Sequence, residues 1–505
     1  MSRLSTVIGL LLVGCSSGGI NEPVGPPIVP GLPGVGQGGA QDFGRFRQIL
    51  DEGGIPGPDT LDDVGFFAEH KFELPAPQCG EDVCIHGLYG AMDNMIDGSV
   101  CTVVLVGMNT TLTPESVVRP PLDLTVVVDT SGSMSGQPIA DVRRGLTDML
   151  AALQPEDRLS IVSFGTDAEV RVERTSVESP ELELAIQALD IAGSTNLYAG
   201  LRAGYELAAA TLQPERQNRL LLLSDGVATV GIEEGDRIVA LADAYQEQGL
   251  SLSTIGLGDS FDVPLLRELA EEGAGAFYFV EDSAALTEVF TEEANVFLVP
   301  LAEQAEITLA PESNWQVRGV YGTRLFMFDR AVADIEVPSL QIAGRTDEPD
   351  EAPPTRRGGG GGIVIELLPE RQGLDLSGTV GTLDLAYRVP GTEEVVEQSV
   401  VIEGPGTFVD GDRWFEGGTA EKGFVTLNIY VGFRMATESA ARGDDGAALG
   451  VLDAVAVNVA EWLQNNPDSD ILDDLAYVDK FRDNLIARTP EPRTPPENRP
   501  PWPQD

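Results

Sequence analysis

Histidine, lysine and cysteine are scarce in this chain of 505 residues. There are two histidines, His70 and His86, and three lysines. The chain therefore offers very few side chains for catalysis by an imidazole base, and we predict that it is not an enzyme. Acidic residues outnumber basic ones by 81 to 32, for a formal net charge of −49. A surface this acidic repels nucleic acid and anionic membranes, so we expect no nucleic-acid partner.

The chain begins with an apolar run that is too short to span a bilayer. The run Val7–Val13 follows Arg3 and leads into Leu12-Val13-Gly14-Cys15, whereas a membrane span needs about 20 residues. This pattern is typical of a bacterial lipoprotein signal, cleaved before Cys15 so that its sulfur carries a lipid. Ser16, standing where an aspartate would favour retention at the inner membrane, indicates the outer membrane of a Gram-negative cell envelope. A plain secretory signal with an incidental cysteine is the alternative.

Three further cysteines, Cys79, Cys84 and Cys101, lie close together in the sequence. In an oxidising envelope compartment a disulfide is the default, and either Cys84–Cys101 or Cys79–Cys84 leaves one thiol over. A zinc site formed by all three with His86 is the alternative, because three cysteines and one histidine are an established ligand set.

Changes in composition and periodicity divide the chain into successive segments. A Gly/Pro-rich linker is expected before the folded part, and the end of the chain is Pro-rich. The predicted segments are a signal peptide (1–14), a linker (15–41), an N-terminal segment (42–120), an α/β domain (121–299), a β-domain (300–415) with a flexible loop (346–362), a helical region (420–488) and a disordered tail (489–505).

The segment 121–299 alternates strands and helices, ending with a predicted helix over Ala284–Phe297. This order predicts an α/β fold with a doubly wound, mostly parallel sheet. Beyond residue 300 the pattern changes to alternating apolar and polar residues, which predicts an antiparallel sheet. The strand predicted over Cys101–Leu112 is a candidate member of that sheet, which would make the α/β unit an insertion.

Carboxylates and small hydroxyls follow two buried strands of the α/β segment. Leu122–Val128 is an apolar strand that ends in Asp129-Thr130-Ser131-Gly132-Ser133, and Leu220–Leu223 ends in Ser224-Asp225-Gly226. Between them, Gly193-Ser194-Thr195 leads into a helix. The ends of parallel strands border the crevice where α/β folds bind ligands. An all-oxygen set of this kind suits Mg²⁺ or Ca²⁺, although Asp, Ser and Gly also favour ordinary turns.

These elements resemble the von Willebrand factor type A family and its metal-ion-dependent adhesion site. The resemblance rests on Asp-x-Ser-x-Ser, then a threonine, then an aspartate. The matching positions are Asp129, Ser131, Ser133, Thr195 and Asp225. It implies that the site holds Mg²⁺, or else Ca²⁺ or Mn²⁺, and that a partner protein completes the coordination with an Asp or Glu. The segment 42–78 also resembles, loosely, the region before this domain in a bacterial group of the family.

Three functions compete at this point. The first is a membrane-anchored envelope lipoprotein that binds a protein or surface polymer through its metal. The second is a hydrolase that uses metal-activated water, for which we find no general base beyond the ligands. The third is an envelope scaffold whose metal only stabilises the fold. The first explains the motif and the anchor together, and we expect it.

Overall fold

The computed structural model describes residues 33–37, 43–113, 120–213, 215–225, 227–257, 262–280, 289, 300–343, 360–369, 378–405, 413–489 and 502–503. The predicted signal peptide, Cys15 and the predicted helix Ala284–Phe297, apart from Val289, lie outside these residues, as does most of the predicted loop 346–362.

The described strands are β1 (Gly34–Gln37), β2 (Cys84–Asp93), β3 (Val100–Asn109), β4 (Leu122–Asp129), β5 (Arg158–Phe164), β6 (Ala168–Ser176), β7 (Gln217–Ser224), β8 (Leu250–Leu257), β9 (Phe277–Val280), β10 (Pro300–Pro311), β11 (Trp315–Tyr321), β12 (Phe326–Phe328), β13 (Ala333–Ile342), β14 (Ile363–Pro369), β15 (Thr379–Arg388), β16 (Val395–Glu403) and β17 (Trp414–Phe415). The helices are α1 (Gly44–Asp51), α2 (Asp63–Ala68), α3 (Gln137–Ala152), α4 (Pro180–Gln187), α5 (Leu197–Ala210), α6 (Gly235–Gln246), α7 (Val263–Glu272), α8 (Gly417–Ala441), α9 (Asp445–Leu463) and α10 (Ser469–Arg488).

A six-stranded sheet in the order β6-β5-β4-β7-β8-β9 forms the α/β unit. Its strands run parallel except β6, which pairs antiparallel with β5 at one edge. Apolar side chains of α3 and α4 cover one face and those of α5, α6 and α7 cover the other. Burial on both faces explains why β4 and β7 read as continuous apolar runs. The predicted mostly parallel α/β sheet is confirmed.

The second sheet is antiparallel throughout and includes strands from both sides of the α/β unit. Its order is β11-β14-β3-β1-β13-β10-β15-β16, with β2 on β3, β12 on β13 and β17 on β2. The chain leaves this sheet after β3, builds the α/β unit, and returns to it at β10. Because β3 pairs with β14, the α/β unit is inserted within the sheet's connectivity.

Strand β1 corrects the prediction of an unstructured linker over 15–41. Gly34–Gln37 pairs with both β3 and β13, and Val35 is buried. The backbone groups of β3 and β13 at this point need partners, and the short strand supplies them. This part of the predicted linker is therefore part of the fold.

Helix α8 packs against one face of the antiparallel sheet and against α2. Helix α9 packs against α8 and α10, and α10 also packs against α1. Phenylalanines join these elements, with the rings of Phe46 and Phe433 4.9 Å apart between α1 and α8. Helix α9 is long and apolar enough to cross a membrane by length and composition. It lies against both α8 and α10, and its buried residues belong to this core.

The prediction of a disordered tail over 489–505 is wrong at Trp502. Its side chain is fully buried, and its indole N–H donates to Glu366 Oε1 at 2.9 Å. Its backbone N–H donates to Asp97 at 2.8 Å. A tryptophan buries a large apolar area and still needs a partner for its N–H, and the core beside Glu366 provides both.

Buried ion pairs connect the α/β unit to the rest of the chain. Asp62, just before α2, pairs with Arg267 of α7 at 3.0 Å and with Arg324 of the antiparallel sheet region at 2.5 Å. Arg324 also pairs with Glu271 of α7. These two arginines keep the pKa of Asp62 below its usual value even though burial raises it. A charge at the centre of the contact between the units is thereby neutralised.

Candidate metal site

Asp129 is the last residue of β4 and is fully buried. One of its carboxylate oxygens accepts the backbone N–H of Ser131 at 2.8 Å, and the other accepts the hydroxyl of Ser224 at 2.7 Å. Ser224 ends the neighbouring strand β7. The carboxylate is therefore fixed at the edge where the strand order reverses, the usual ligand position in such sheets.

A continuous chain of hydroxyl contacts links the two aspartates. The turn after β4 brings the hydroxyl oxygens of Ser131 and Ser133 to 3.0 Å from each other. Ser133 then donates to Asp225 Oδ1 at 2.8 Å. Asp225 is 7% exposed and Ser133 is exposed, so the set is buried on one side and open on the other.

The loop with Thr195 is tied to both neighbouring turns through the backbone. Gly132 N–H donates to the carbonyl of Gly193 at 3.1 Å, which joins the loop to the turn after β4. On the other side, Thr195 N–H donates to the Thr229 hydroxyl at 3.0 Å, and its carbonyl accepts the Thr229 N–H. Thr195 is buried between the two turns. Its hydroxyl makes no hydrogen bond to the two aspartates among the described contacts.

Gly193 is required where it stands. Its φ is +75°, a backbone conformation that favours glycine. A Cβ at this position would lie 2.3 Å from the Thr166 hydroxyl. The tight approach of this loop to its neighbour therefore depends on the missing side chain, which is why the sequence shows glycine two residues before Thr195.

The electrostatics of the two aspartates favour a cation. Burial raises the pKa of Asp129, with hydrogen bonds from Ser131 and Ser224 opposing the shift. Burial also raises the pKa of Asp225 to about 6, and the nearby charge of Asp129 adds to the effect. In the described part of the chain, no lysine or arginine forms an ion pair with either one. Two neighbouring buried carboxylates without a counter-charge are costly, and the oxygen donors around them fit a divalent ion.

The two histidines and the three described cysteines, Cys79, Cys84 and Cys101, lie elsewhere. Cys79 and Cys84 form a disulfide, and Cys101 is a buried thiol in contact with Glu366. The zinc alternative is therefore wrong, because two of its sulfurs are bonded to each other. His86 bonds to Asn109, as expected of a satisfied polar side chain. Among the described residues no group of three or more His, Cys, Asp or Glu side chains is arranged to hold a metal.

His70, the other histidine of the chain, belongs to the helical core. Its Nε2 lies 2.8 Å from a carboxylate oxygen of Asp474, and its Nδ1 lies 2.8 Å from the carbonyl of Phe66. Both ring nitrogens are engaged in a fully buried setting. The position joins α2 to α10 and is remote from the turn after β4.

Comparison with known proteins identifies the α/β unit. Residues 123–292 match the model of the von Willebrand factor type A domain. The chain contains a von Willebrand factor type A (VWA) domain. YfbK of Escherichia coli is 28% identical over 199 residues, which are 39% of this chain and 35% of YfbK. The protein sll0103 of Synechocystis is 31% identical over 202 residues, 38% of this chain and 47% of that protein. The matched region thus spans less than half the length of these relatives.

A solved structure is similar over more of the chain. The von Willebrand factor type A protein of Catenulispora acidiphila aligns over 81% of this chain and 98% of its own length. The identity is 14% and the TM-score is 0.49.

Two further residues, which are not part of the sequence motif, hold the motif residues in place. Ser224 donates to Asp129, and Thr229 holds the backbone of Thr195. Ser224 was visible as the residue just before Asp225 at the end of an apolar strand. Thr229 carries no such signal, because it follows the strand by several residues and acts across a loop.

Proposed function

We propose that this protein is a lipid-anchored envelope lipoprotein that binds a protein or surface polymer through a divalent metal in its VWA domain. The observation that carries the proposal is the chain of contacts from Asp129 through Ser131 and Ser133 to Asp225. It gathers oxygen donors around two buried carboxylates that no described basic side chain neutralises. The same set opens to solvent at Ser133, where a partner can approach.

The residues that would hold the ion are those of the motif. Ser131, Ser133 and Thr195 contribute hydroxyl oxygens, and Asp129 and Asp225 contribute negative charge. A small all-oxygen set with hydroxyl members favours Mg²⁺, with Ca²⁺ and Mn²⁺ as alternatives. When bound, the ion supplies positive charge and an open coordination position. The rigid ends of β4 and β7 keep these side chains in place before any partner arrives.

A partner that offers an aspartate or glutamate suits such a site. The chain has a net charge of −49, so most of its surface repels acidic groups. A carboxylate would therefore be attracted at the metal and repelled elsewhere, which favours one docking position over many.

The proposed anchor is the lipid on Cys15, after removal of residues 1–14, with outer-membrane placement in a Gram-negative bacterium. Incorporation of a labelled fatty acid into the wild type and into Cys15→Ser tests this directly. Label in both proteins, or in neither, contradicts the anchor.

Calorimetric titration of Mg²⁺, Ca²⁺ and Mn²⁺ into the chain beginning at Ser16 tests the metal site. We expect one-site binding that is lost in Asp129→Ala and kept in Ser135→Ala, whose serine is exposed in the same turn. Absence of binding in the wild type contradicts the metal mechanism. Metal-dependent capture of a purified partner separates recognition from a purely structural metal, and turnover of a substrate would favour the hydrolase alternative.

A further inference from the structure

A large cleft lies between the base of the VWA sheet and the antiparallel sheet, at the end opposite to Asp129. Its volume is about 1180 Å³. The first residues of β7 and β8 line one side, and β10 with the turn between β15 and β16 line the other. Ligand sites in proteins commonly occupy clefts of this size where two structural units meet. Nothing in the metal-site mechanism uses it.

Three buried polar atoms in the wall of this cleft have no hydrogen-bond partner among the residues that the structure describes. They are Arg219 Nη1, Gln217 Oε1 and Ser339 Oγ. Gln217 and Arg219 belong to β7, whereas Ser339 comes from β13 of the antiparallel sheet. Buried polar groups in folded proteins are nearly always satisfied, so three orphans around one cleft indicate that something else supplies their partners.

Arg219 is the strongest of the three observations. It is 7% exposed and forms no ion pair in the described part of the chain. Burial lowers its pKa to about 10, with the charge of Glu303 opposing the shift, so the guanidinium is still charged at neutral pH. Glu303 is itself paired with Arg388 at 3.1 Å. A buried charge without a partner is costly, and a bound anion would remove that cost.

The chemistry of the wall defines the anion. A guanidinium binds carboxylate or phosphate through two parallel hydrogen bonds. Glu303 and the overall charge of −49 disfavour a dianion such as phosphate. The cleft is also far larger than an inorganic ion, and its wall includes the apolar side chains of Leu112, Leu212, Leu301 and Tyr387. These side chains would pack on a hydrocarbon body.

We propose that this cleft binds a small organic monocarboxylate with an apolar body, and that its carboxylate pairs with Arg219. The site is separate from the metal site, so either proposal can fail without the other. Ser339 and Gln217 would complete the polar contacts of the ligand head. The apolar wall would select against acids that lack a hydrocarbon chain.

The test is calorimetric titration of decanoate, below its micelle concentration, into the full chain with EDTA present. EDTA removes divalent ions, so the carboxylate cannot be held at the VWA metal site. We expect binding of decanoate, and binding of decanol and of acetate at least about tenfold weaker, since each lacks one of the two recognition elements. No binding of decanoate, or equal binding of decanol, overturns the proposal. Binding of inorganic phosphate as tight as that of decanoate overturns the monocarboxylate assignment.

Two arginine variants test whether decanoate binds in this cleft. Arg219→Met keeps the apolar stem and removes the charge, and we expect decanoate affinity to fall at least about tenfold. Arg330→Met, which changes an exposed arginine in the connection between β12 and β13, is the matched control and should bind as the wild type does. Without ligand, Arg219→Met should melt at a higher temperature than the wild type, because it removes an unpaired buried charge.

A second variant keeps Arg219 and fills the space. Ser251 pairs in register with Arg219 on the neighbouring strand β8 and also lines the cleft. Ser251→Trp should weaken decanoate binding while circular dichroism and the Mg²⁺ titration remain those of the wild type. Undiminished decanoate binding in either Arg219→Met or Ser251→Trp would place the ligand elsewhere and overturn the proposal.

Discussion

The Ser133 hydroxyl donates to Asp225 Oδ1 at 2.8 Å, across 92 positions of sequence. The bond joins the turn after β4 to the end of β7, two neighbouring parallel strands. Because Ser133 is exposed and Asp225 is buried, this contact marks the boundary between the interior of the site and solvent.

Ser133→Ala should weaken Mg²⁺ binding by about tenfold or more, because it removes one oxygen donor and the hydrogen bond that orients Asp225. Calorimetry against Ser135→Ala, a serine of the same turn without these contacts, measures the effect. Equal affinity in both variants would exclude Ser133 from the site.

Asp225→Asn should have opposite effects on the metal-free and metal-loaded protein. Asn keeps an oxygen for Ser133 but removes one of two neighbouring buried charges, so the melting temperature in EDTA should rise. Mg²⁺ at 100 times its dissociation constant should stabilise the wild type by about 2.7 kcal/mol and the variant by much less. Asp167→Asn, an exposed carboxylate in a nearby loop, serves as the control. A variant that still responds fully to Mg²⁺ argues against Asp225 as a ligand.

Trp502→Ala should lower the free energy of unfolding by about 3–5 kcal/mol, because the side chain is fully buried. Trp502→Phe retains most of the apolar volume and loses the N–H that bonds to Glu366, so the loss should be about 1–3 kcal/mol. Denaturant unfolding monitored by far-ultraviolet circular dichroism measures both values. Wild-type stability in the alanine variant would mean that this end of the chain does not pack as described.

Stability should fall as the pH rises from about 4 to about 6 through the titration of Asp63. Burial and the charge of Asp62 raise the pKa of Asp63 from 3.8 to about 6. The folded state therefore holds a proton that the unfolded state releases, and its advantage is lost as the pH rises through this window.

Asp63→Asn should remove this part of the pH dependence, because its side-chain oxygen can still accept the Gly322 N–H. The stability of the variant relative to the wild type should increase from pH 4 to 6 and then stay constant. Thermal melts across this range, with the exposed Asp59→Asn as control, provide the measurement. A constant difference between variant and wild type from pH 4 to 7 would contradict the assignment.

The local sequence pattern was sufficient to predict most strands and helices, because the spacing of their apolar residues matches the face that each element buries. The alternating pattern beyond residue 300 predicted an antiparallel sheet, and β4 and β7 appear as apolar runs because helices cover both faces. The motif residues could be assigned because the ends of neighbouring parallel strands meet at one edge.

Strand β2 was missed because it contains two glycines, which read as breaks. A Cβ at Gly90 would lie 2.3 Å from the ring of Phe415, and one at Gly87 would lie 3.0 Å from Ile402. Both glycines make room for side chains from the far end of the chain. Edge strand β6 was missed for another reason: its charged, half-exposed residues lack a clear apolar face.

The contacts of Trp502, Arg219 and Asp62 could not be predicted either. Each depends on residues brought together from distant parts of the chain, and a local sequence pattern does not indicate such long-range contacts. The metal motif is local at each strand end and can be recognised in the sequence, whereas the cleft is formed by two separate units and leaves no local pattern.

The insertion of the VWA unit has a mechanical consequence. Asp129 ends β4, and Leu122 begins it, so the other end of the strand follows in sequence from β3 of the antiparallel sheet. A force applied at the metal site therefore pulls β4 along its own axis. Parallel neighbours β5 and β7 flank the strand over its length, so their hydrogen bonds are loaded in shear and must yield together instead of opening one by one. For the lipid-anchored, ligand-binding protein proposed above, this is the direction in which an anchored molecule would be pulled, and the hydrogen bonds of β4 resist such a load together.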